Sequence, residues 1–599
     1  MIDPLEAARP EEMTATNVPT PPAAPWCYIL LIVAGLVAYS NSIRVPFLLD
    51  DGRAIAQNPY VREFVPPFEM LNDKKMGATR PLVLFTLQVN YAVSSLDVWS
   101  YHATNLLIHL ASAILLFEIV RRALRTEPVR ELYAAQAEPL GLAVALLWVV
   151  HPLASQGVTY LVQRGESMMG LFIFLTLYCV LRASEGPHRS LWQAGAILAC
   201  AAGMLCKEAM AAAPLVVFLF DRTFLGQSVR NVLRERKWLY AGLAASSLIV
   251  VGMLLHAGRS VNPADEIAVL PDASRWRYLM TQTGVLVHYL HLSVWPHPLV
   301  FDYYWPWAEN PGDVIVPGII ILLLLVGTFW GLVKNLPIAF LGAWFFVLLA
   351  PTSSFMPLDD AAAEHRMYLP LVAPIILLVL ALHHIIELIA EKLARPSSAN
   401  KVFTCVIAAM ALVFCGLTYS RNRDYRSSLA MWTDVVAKRP RNPRAHYNLA
   451  VELNDAQEYG RAIQHLQATI KLHPGIPHSY NLLGTILCRQ GSFDDGTALI
   501  RHAIGMHPNF PLAHYNLAVF EAERGKWDVA EAEFLEALRI QPALYEARLN
   551  LGVLYARQGK LNEAVREFQI CTQLRPDSQE ARNNLRRAID SGGKLPGNP

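Results

Sequence analysis

The chain has 599 residues, of which 54% are hydrophobic and 17% charged, with a formal net charge of +2. Soluble domains carry about 25% charged residues, so most of this chain is not built to face water. No long basic run points to nucleic acid, and that class of partner is set aside.

The first 25 residues are polar and rich in Pro, Ala and Thr, which predicts a disordered tail over 1–25. They lack the basic stretch of a signal peptide, so the apolar run from Cys27 to Ile43 reads as an uncleaved first helix. A helix needs about 20 apolar residues to cross a hydrocarbon core of about 30 Å. Eleven candidate spans follow: 27–43, 99–122, 138–152, 166–183, 190–206, 209–225, 238–257, 313–333, 337–352, 367–388 and 402–420. The stretch 276–295 is interrupted by Tyr278, His288, Tyr289 and His291 and is left uncounted, as a segment along the interface or dipping into it.

Basic residues in loops mark the cytoplasmic side. With the N-terminus cytoplasmic, Arg121, Arg122, Arg125, Arg182, Arg189, the basic 230–237 stretch, Lys334, Lys392, Arg395 and Lys401 all fall inside. The loops 44–98, 153–165, the Lys207–Glu208 turn, 258–312 and 353–366 then lie outside, as does everything beyond residue 420. The expected setting is a bacterial inner membrane, with the C-terminal region in the periplasm. The eight cysteines are scattered, with no metal-ligand spacing and no disulfide framework.

Beyond residue 420 the chain turns charged and repetitive. Pro440, Pro474, Pro508, Pro542 and Pro576 recur every 34 residues, the period of tetratricopeptide (TPR) repeats. Ala450, Gly484, Ala518 and Gly552 form a small-residue column, and Ala462, Gly496, Ala530 and Ala564 another. Leu466, Ile500, Phe534 and Phe568 supply the bulk between them. These columns read as core packing between stacked helix pairs. The predicted architecture is all-α: a polytopic membrane helix bundle of about eleven transmembrane helices over 26–420, then a TPR α-solenoid over 421–591. Its full repeats are 441–474, 475–508, 509–542 and 543–576, and 592–599 is a flexible C-terminus.

The residues with chemistry gather on the outer face. Asp50 and Asp51 follow the first helix directly, and ionisable groups at a membrane helix end are costly unless hydrated or used. Adjacent side chains point in different directions, so one carboxylate suits a general base while the other orients a partner. Arg80, His151, the run Arg164–Gly165–Glu166, the pair Lys207–Glu208, and Glu364–His365–Arg366 with Tyr368 fall on the same face. Each cation alone reads as a snorkelling or paired side chain. Together they suit an anionic, lipid-linked substrate, because Arg presents a planar fork of donors to phosphate.

In order, the motifs are LLDDGRAIAQNP (48–59), Arg80-Pro81-Leu82, YHATNLLIHL (101–110), WVVHPLASQGV (148–158), MLCKEAM (204–210), EHRMYLPL (364–371) and then the repeats. This order resembles the transmembrane-and-TPR O-mannosyltransferase family, a branch of the GT-C glycosyltransferases, over about residues 27–590. The resemblance implies a GT-C-like transmembrane domain that transfers a monosaccharide, mannose or similar, from a polyprenyl-phosphate donor to a protein or envelope-glycan hydroxyl, with inversion. Asp50 and Asp51 match the family's first-loop acids and would deprotonate the acceptor. Arg164, Lys207 and Arg366 match its cations and would stabilise the leaving phosphate. Arg80, His151, Glu166, Glu208, Glu364, His365 and Tyr368 complete the expected substrate contacts. No cofactor is implied beyond the lipid-linked sugar donor, and a divalent metal is not favoured because no well-spaced Asp-x-Asp is present. The TPR groove would bind the protein or peptide acceptor.

Two positions depart from the family pattern. Ser155-Gln156 stands where an acid follows His-Pro, and Gln163-Arg164-Gly165-Glu166 replaces a Gly-Arg-Ala-Asp-like run. Two other readings stay open: a non-catalytic membrane-anchored TPR scaffold, and a lipid-linked glycan polymerase, ligase or transporter using His288, His291 and His297 in the 258–312 stretch.

Overall fold

The structure is a computed structural model that describes residues 20–70, 80–225, 228–256, 275–354 and 357–594. The expected tail up to residue 19, residues 71–79 of the first outer loop, 257–274 of the 258–312 stretch and 595–599 of the expected C-terminal tail lie outside the described residues. Among the described residues every regular element is helical. The chain divides into two compact units, with the described residues separating between Asp434 and Val435.

In the first unit each of the eleven expected spans coincides with a helix. Seven helical segments are long and apolar enough to cross a membrane by length and composition, among the described residues. Three of them, Trp99–Ala123, Glu127–Val149 and Leu161–Glu185, are 61–67% buried in the protein, while Pro311–Val333 is only 11% buried. A helix that is apolar all round yet exposed is made for lipid. The chain is therefore an integral membrane protein. Trp99–Ala123 packs against Ala137–Val149 and Arg164–Glu185, and Pro25–Ala38 lies beside the first two of these.

Four expected spans form helices too short to cross alone: Pro25–Ala38, Arg189–Met204, Ala213–Phe224 and Ala339–Leu349, of 14, 16, 12 and 11 residues. Non-helical backbone is tolerated at membrane depth only where protein covers it. The turn after Arg189–Met204 fits that condition. Cys206 is fully buried, and the Leu205 carbonyl accepts the Leu82 N–H at 3.3 Å. The uncounted stretch is a helix, Arg275–Val294, whose polar side chains dock on the segment before the last outer motif. There the Tyr278 hydroxyl donates to the Thr352 carbonyl at 2.6 Å, and the Gln282 amide to the Ala361 carbonyl at 3.0 Å.

The second unit is a stack of helix pairs: Pro443–Asp455 with Tyr459–Leu472, Pro477–Arg489 with Phe493–Met506, Pro511–Glu523 with Trp527–Ile540, and Tyr545–Arg557 with Leu561–Leu574. Gln579–Asp590 follows and packs on the last of them. The bulky column Leu466, Ile500, Phe534 and Phe568 is 0–2% exposed. The second pair approaches closest. A Cβ on Gly484 would lie 2.5 Å from the Gly496 carbonyl oxygen, which excludes any side chain there. Gly491, Gly525 and Gly559 end the first helices of three repeats with φ of +90°, +74° and +76°. Gln457 takes the same place in the first repeat with φ of +60°.

Candidate active site

The two acids after the first helix have different surroundings. Leu49, with φ of +44°, turns the chain so that Asp50 faces outward and Asp51 inward. A non-glycine residue held there costs of order 1–3 kcal/mol and persists only when its surroundings over-determine it. Asp51 supplies that determination. It is 1% exposed, its Oδ2 accepts the Leu48 N–H at 3.0 Å, and its Oδ1 accepts the Val162 N–H at 2.7 Å. Burial pushes its carboxyl up to about 7, against the pull of those two N–H groups. A π-helical turn over Gly52–Ala56 follows.

Asp50 is exposed, and its Oδ2 accepts a hydrogen bond from the Tyr160 hydroxyl at 3.0 Å. That hydroxyl in turn accepts the Asp50 N–H at 3.2 Å. Tyr160 is itself 2% exposed and packs edge-on against Phe301. Burial, then the charge of Asp50, raises the Tyr160 phenol far above its usual range, so it stays a donor.

Two cations meet the same stretch of chain that holds these acids. Lys207 forms a close ion pair with Glu166, and Arg80 Nη2 lies 3.7 Å from Glu208 Oε2. Arg80 also packs against Gly165, where a Cβ would meet its Nη1 at 3.4 Å. The side chain of Arg80 is 35% exposed and that of Lys207 12%, so Arg80 is the more accessible charge. His365 sits beside both. Its backbone N–H donates to Gln156 Oε1 at 2.8 Å, and its Nδ1–H to the same oxygen at 3.2 Å. An amide oxygen can only accept, so this fixes the proton on Nδ1. Burial, then Lys207, Arg366 and Arg80, hold His365 well below the usual histidine range, and the ring is neutral.

One short segment, 156–166, carries most of these contacts. Gln156 holds His365, Tyr160 holds Asp50, the Val162 N–H holds Asp51, and Glu166 pairs with Lys207. Arg164 braces the segment from beneath. It is fully buried, with Nε on Asn105 Oδ1 at 2.6 Å, Nη1 on Asn90 Oδ1 at 2.6 Å and on Thr86 Oγ1 at 3.1 Å, and Nη2 on the Tyr101 carbonyl at 2.9 Å.

Five of the expected substrate contacts therefore take other places. Arg164 spends its donors on three side chains and one carbonyl, so it positions the loop rather than meeting a phosphate. Arg366, 8% exposed, donates to the Ala361 and Asp360 carbonyls at 3.1 and 2.6 Å. His151 is fully buried: Nδ1 accepts the Leu153 N–H at 3.2 Å and Nε2 donates to the Ser293 carbonyl at 3.2 Å. Glu364 is fully buried and accepts the Val300 N–H at 2.6 Å and Arg421 Nη2 at 3.3 Å. Tyr368 is wedged between Gly157 and Gly170, either of whose Cβ would come within 2.8 Å of its ring, and its hydroxyl donates to His109 Nδ1 at 2.9 Å. These five are buried away from water, and each finds its polar partners inside the fold.

Tyr160, Asn105 and Arg421 enter the site or its frame without having been singled out. Tyr160 stands among apolar neighbours and Arg421 ends an apolar helix, so neither carries a local signal. Asn105 belongs to the 101–110 motif, which carries the family resemblance but no role for this residue.

Comparison with known proteins adds relatives to this geometry. A tetratricopeptide repeat family model matches residues 416–477, 481–544 and 525–579. The Protein O-mannosyl-transferase Tmtc3 of Drosophila melanogaster is 24% identical over 522 residues, 74% of this chain and 55% of its own length. The Protein O-mannosyl-transferase TMTC4 of Mus musculus is 24% identical over 74% of this chain and 66% of its own length. Tmtc2 of Drosophila melanogaster, of the same description, is 28% identical over 45% of this chain and 29% of its own length. The chain thus spans between about a third and two thirds of these relatives. Among solved structures, the thermophilic TPR protein TTC0263 of Thermus thermophilus is 22% identical over 29% of this chain and 94% of its own, with a TM-score of 0.25. The resemblance first read from the ordered motifs is borne out by these relatives.

Proposed function

We propose that this relative of the transmembrane-and-TPR protein O-mannosyl-transferases is a membrane glycosyltransferase that uses a polyprenyl-phosphate sugar as donor. Asp50 takes the proton of the acceptor hydroxyl as that oxygen attacks the anomeric carbon. The bond from that carbon to the phosphate oxygen breaks, the configuration inverts, and polyprenyl phosphate leaves with the electron pair. Arg80 meets the charge that develops on the phosphate, with Lys207 behind it, and Arg164 and Arg366 keep the loops in place. The acceptor is a protein or envelope-glycan hydroxyl on the non-cytoplasmic face, brought there by the TPR repeats. The lipid-linked sugar is the donor, and the base and the cations come from this chain.

The observation that carries this reading is the 156–166 segment. It ties an exposed, hydrogen-bonded carboxylate and a set of cations to one loop, the combination that a base and an anionic leaving group require. The test is sugar transfer by the full-length protein in nanodiscs, supplied with a panel of polyprenyl-phosphate monosaccharides and an envelope-protein extract. Transfer by the wild type and its loss in Asp50→Asn is the expected result. A folded wild type that neither transfers nor releases sugar from any donor would overturn it.

A further inference from the structure

A second set of cations lies at the other end of the bundle. The Trp99–Ala123 helix runs 25 residues, about 37 Å at 1.5 Å per residue. Near its first turns Tyr101 and Asn105 brace Arg164; at its last turn stand Arg121 and Arg122. The acids here are already engaged. Glu118 takes Arg121 at 2.9 Å, a close ion pair from Arg122, and the Tyr28 hydroxyl. Glu185 takes Arg122 Nε at 3.3 Å, Arg182 Nε at 3.6 Å and the Thr20 hydroxyl at 2.8 Å.

Arg125 is left over. Its Nη1 is buried and has no hydrogen-bond partner among the described residues. A buried donor without a partner costs more than the bond it lacks. Burial, then Arg121, holds the Arg125 guanidinium below its usual range; Arg122 adds to this, and the charges of Glu138 and Glu118 offset it only in part. An anion beside it would reverse both effects. The space is there: a polar cavity of about 250 Å³ is lined by Arg122, Arg125, Thr126, Arg130 and Ser184 together with the already engaged Glu185, and Arg130 meets Glu127 at 3.1 Å.

A second cavity, of about 320 Å³ and walled almost wholly by apolar side chains, adjoins the first. The two share no lining residue, yet Arg122 and Ala123, Leu124 and Arg125, Tyr133 and Ala134, and Phe224 and Leu225 line opposite sides as chain neighbours. At the mouth of the apolar groove Leu132 and Ile338 are 74% and 63% exposed, which suits lipid rather than water. A basic pocket among transmembrane helices beside an apolar groove has the chemistry of a phospholipid: phosphate at one end, acyl chain at the other.

We propose that these paired cavities bind an anionic phospholipid, with its phosphate-bearing headgroup at Arg125 and Arg130 and an acyl chain in the groove lined by Val120, Phe220 and Trp344. The site is separate from the one at Asp50 and does not depend on the proposed transfer reaction. A polyprenyl-phosphate donor whose phosphate sits at Arg80 cannot also reach Arg125 at the far end of the helix.

The experiment is lipid retention by the full-length protein, read by native mass spectrometry and by thermal unfolding in detergent. Phosphatidylglycerol, phosphatidylcholine and inorganic phosphate are added in separate arms. Retained phosphatidylglycerol and a raised Tm in that arm alone are expected. Arg125→Ala and Arg130→Ala should each weaken retention about fivefold, the effect of one basic residue near a membrane surface. Equal retention of phosphatidylcholine, or the same Tm rise with inorganic phosphate alone, overturns the proposal. Unchanged retention in the double variant overturns it as well. If the variants do not fold, the comparison of the three arms on the wild type decides.

Discussion

Tyr160 and Asp50 hold each other by two hydrogen bonds: the phenol donates to the carboxylate at 3.0 Å, and the backbone N–H of Asp50 donates back to the phenol oxygen at 3.2 Å. Only one carboxylate oxygen is used in this pair, and the residue is exposed. A carboxylate oriented by a buried phenol keeps a second oxygen for an incoming hydroxyl. Asp50→Asn should therefore lower transfer by about 10²–10⁴-fold, the usual worth of a general base. Its Tm should stay within the range of a surface substitution, about 0.5 kcal/mol in stability. Tyr160→Phe should keep part of the activity, about a tenth of it, and change the pH profile of kcat, because the base loses its orienting donor. Equal kcat and equal pH profiles for Tyr160→Phe and wild type would count against this relationship.

Asp51 should behave as the opposite of its neighbour. Its folded carboxyl lies at about 7, above an unfolded value of 3.8, because burial outweighs its two N–H donors. A carboxyl raised on folding lends stability that is fully present below the unfolded value and is lost as pH rises through the folded one. Hydrogen exchange of the 45–62 loop, corrected for intrinsic rates, should thus grow faster between pH 4 and 8. In Asp51→Asn this pH dependence should vanish, while sugar transfer stays within about tenfold of wild type, since the side chain is buried with both oxygens on backbone N–H groups. A loss of transfer as deep as that of Asp50→Asn, in a folded Asp51→Asn, would make Asp51 the base instead.

Arg164 and Arg80 divide positioning from binding. Removing Arg164 strands the buried Asn90 and Asn105 side-chain oxygens, each of which costs about 1–3 kcal/mol when unsatisfied. Arg164→Ala should therefore lower Tm strongly, and Arg164→Lys should not restore it, because an ammonium cannot span four partners in one plane. Arg80→Ala should leave Tm nearly unchanged and lower kcat/KM for the donor by about 10–100-fold, the worth of one charge-assisted hydrogen bond. Thermal unfolding and donor kinetics on the two variants separate these roles. A stable Arg164→Ala with a raised KM would return that residue to the substrate.

The contrast between these arginines shows which parts of the chain could be read in advance. The apolar runs and the 34-residue proline spacing are periodic, and periodicity survives without knowledge of the fold; all eleven spans and all four repeats have helices in their places. The outer motifs were legible as a group, because ionisable residues are expensive beside a membrane. Their individual orientations were not. Arg164 is paired with residues 59 and 74 positions away in the chain, and Glu364 with Arg421, 57 positions away. Whether a charge points to solvent or into a brace depends on such distant partners. Tyr160 is the sharper case: nothing in its neighbours distinguishes it from a core tyrosine until Asp50 is seen against it.

The repeats carry a pH-sensitive version of a recurring clasp. Six residues after its proline, His514 donates Nε2–H to the Pro508 carbonyl at 3.0 Å, and Arg548 donates Nε–H to the Pro542 carbonyl at 2.8 Å. Nineteen residues further on each meets an acid: His514 with Glu533 at 2.6 Å and Arg548 with Glu567 at 2.8 Å. Arg548 keeps its charge at every accessible pH, but His514 does not. The hydrogen bond to Glu533 raises the His514 ring above its usual value, so its stabilisation is complete at pH below the unfolded value and disappears as pH rises through the folded one. Protection of amides in 509–542 should fall by about two- to fivefold more than in 543–576 between pH 6 and 8.5, as a pair worth about 0.5–1 kcal/mol implies. The 543–576 repeat serves as an internal control in the same molecule, read by hydrogen exchange on the full chain after correction for intrinsic rates. His514→Gln keeps a donor for the Pro508 carbonyl and cannot titrate, so it should remove the difference. Parallel loss of protection in both repeats, or a difference that survives His514→Gln, would place the pH sensitivity elsewhere in the solenoid.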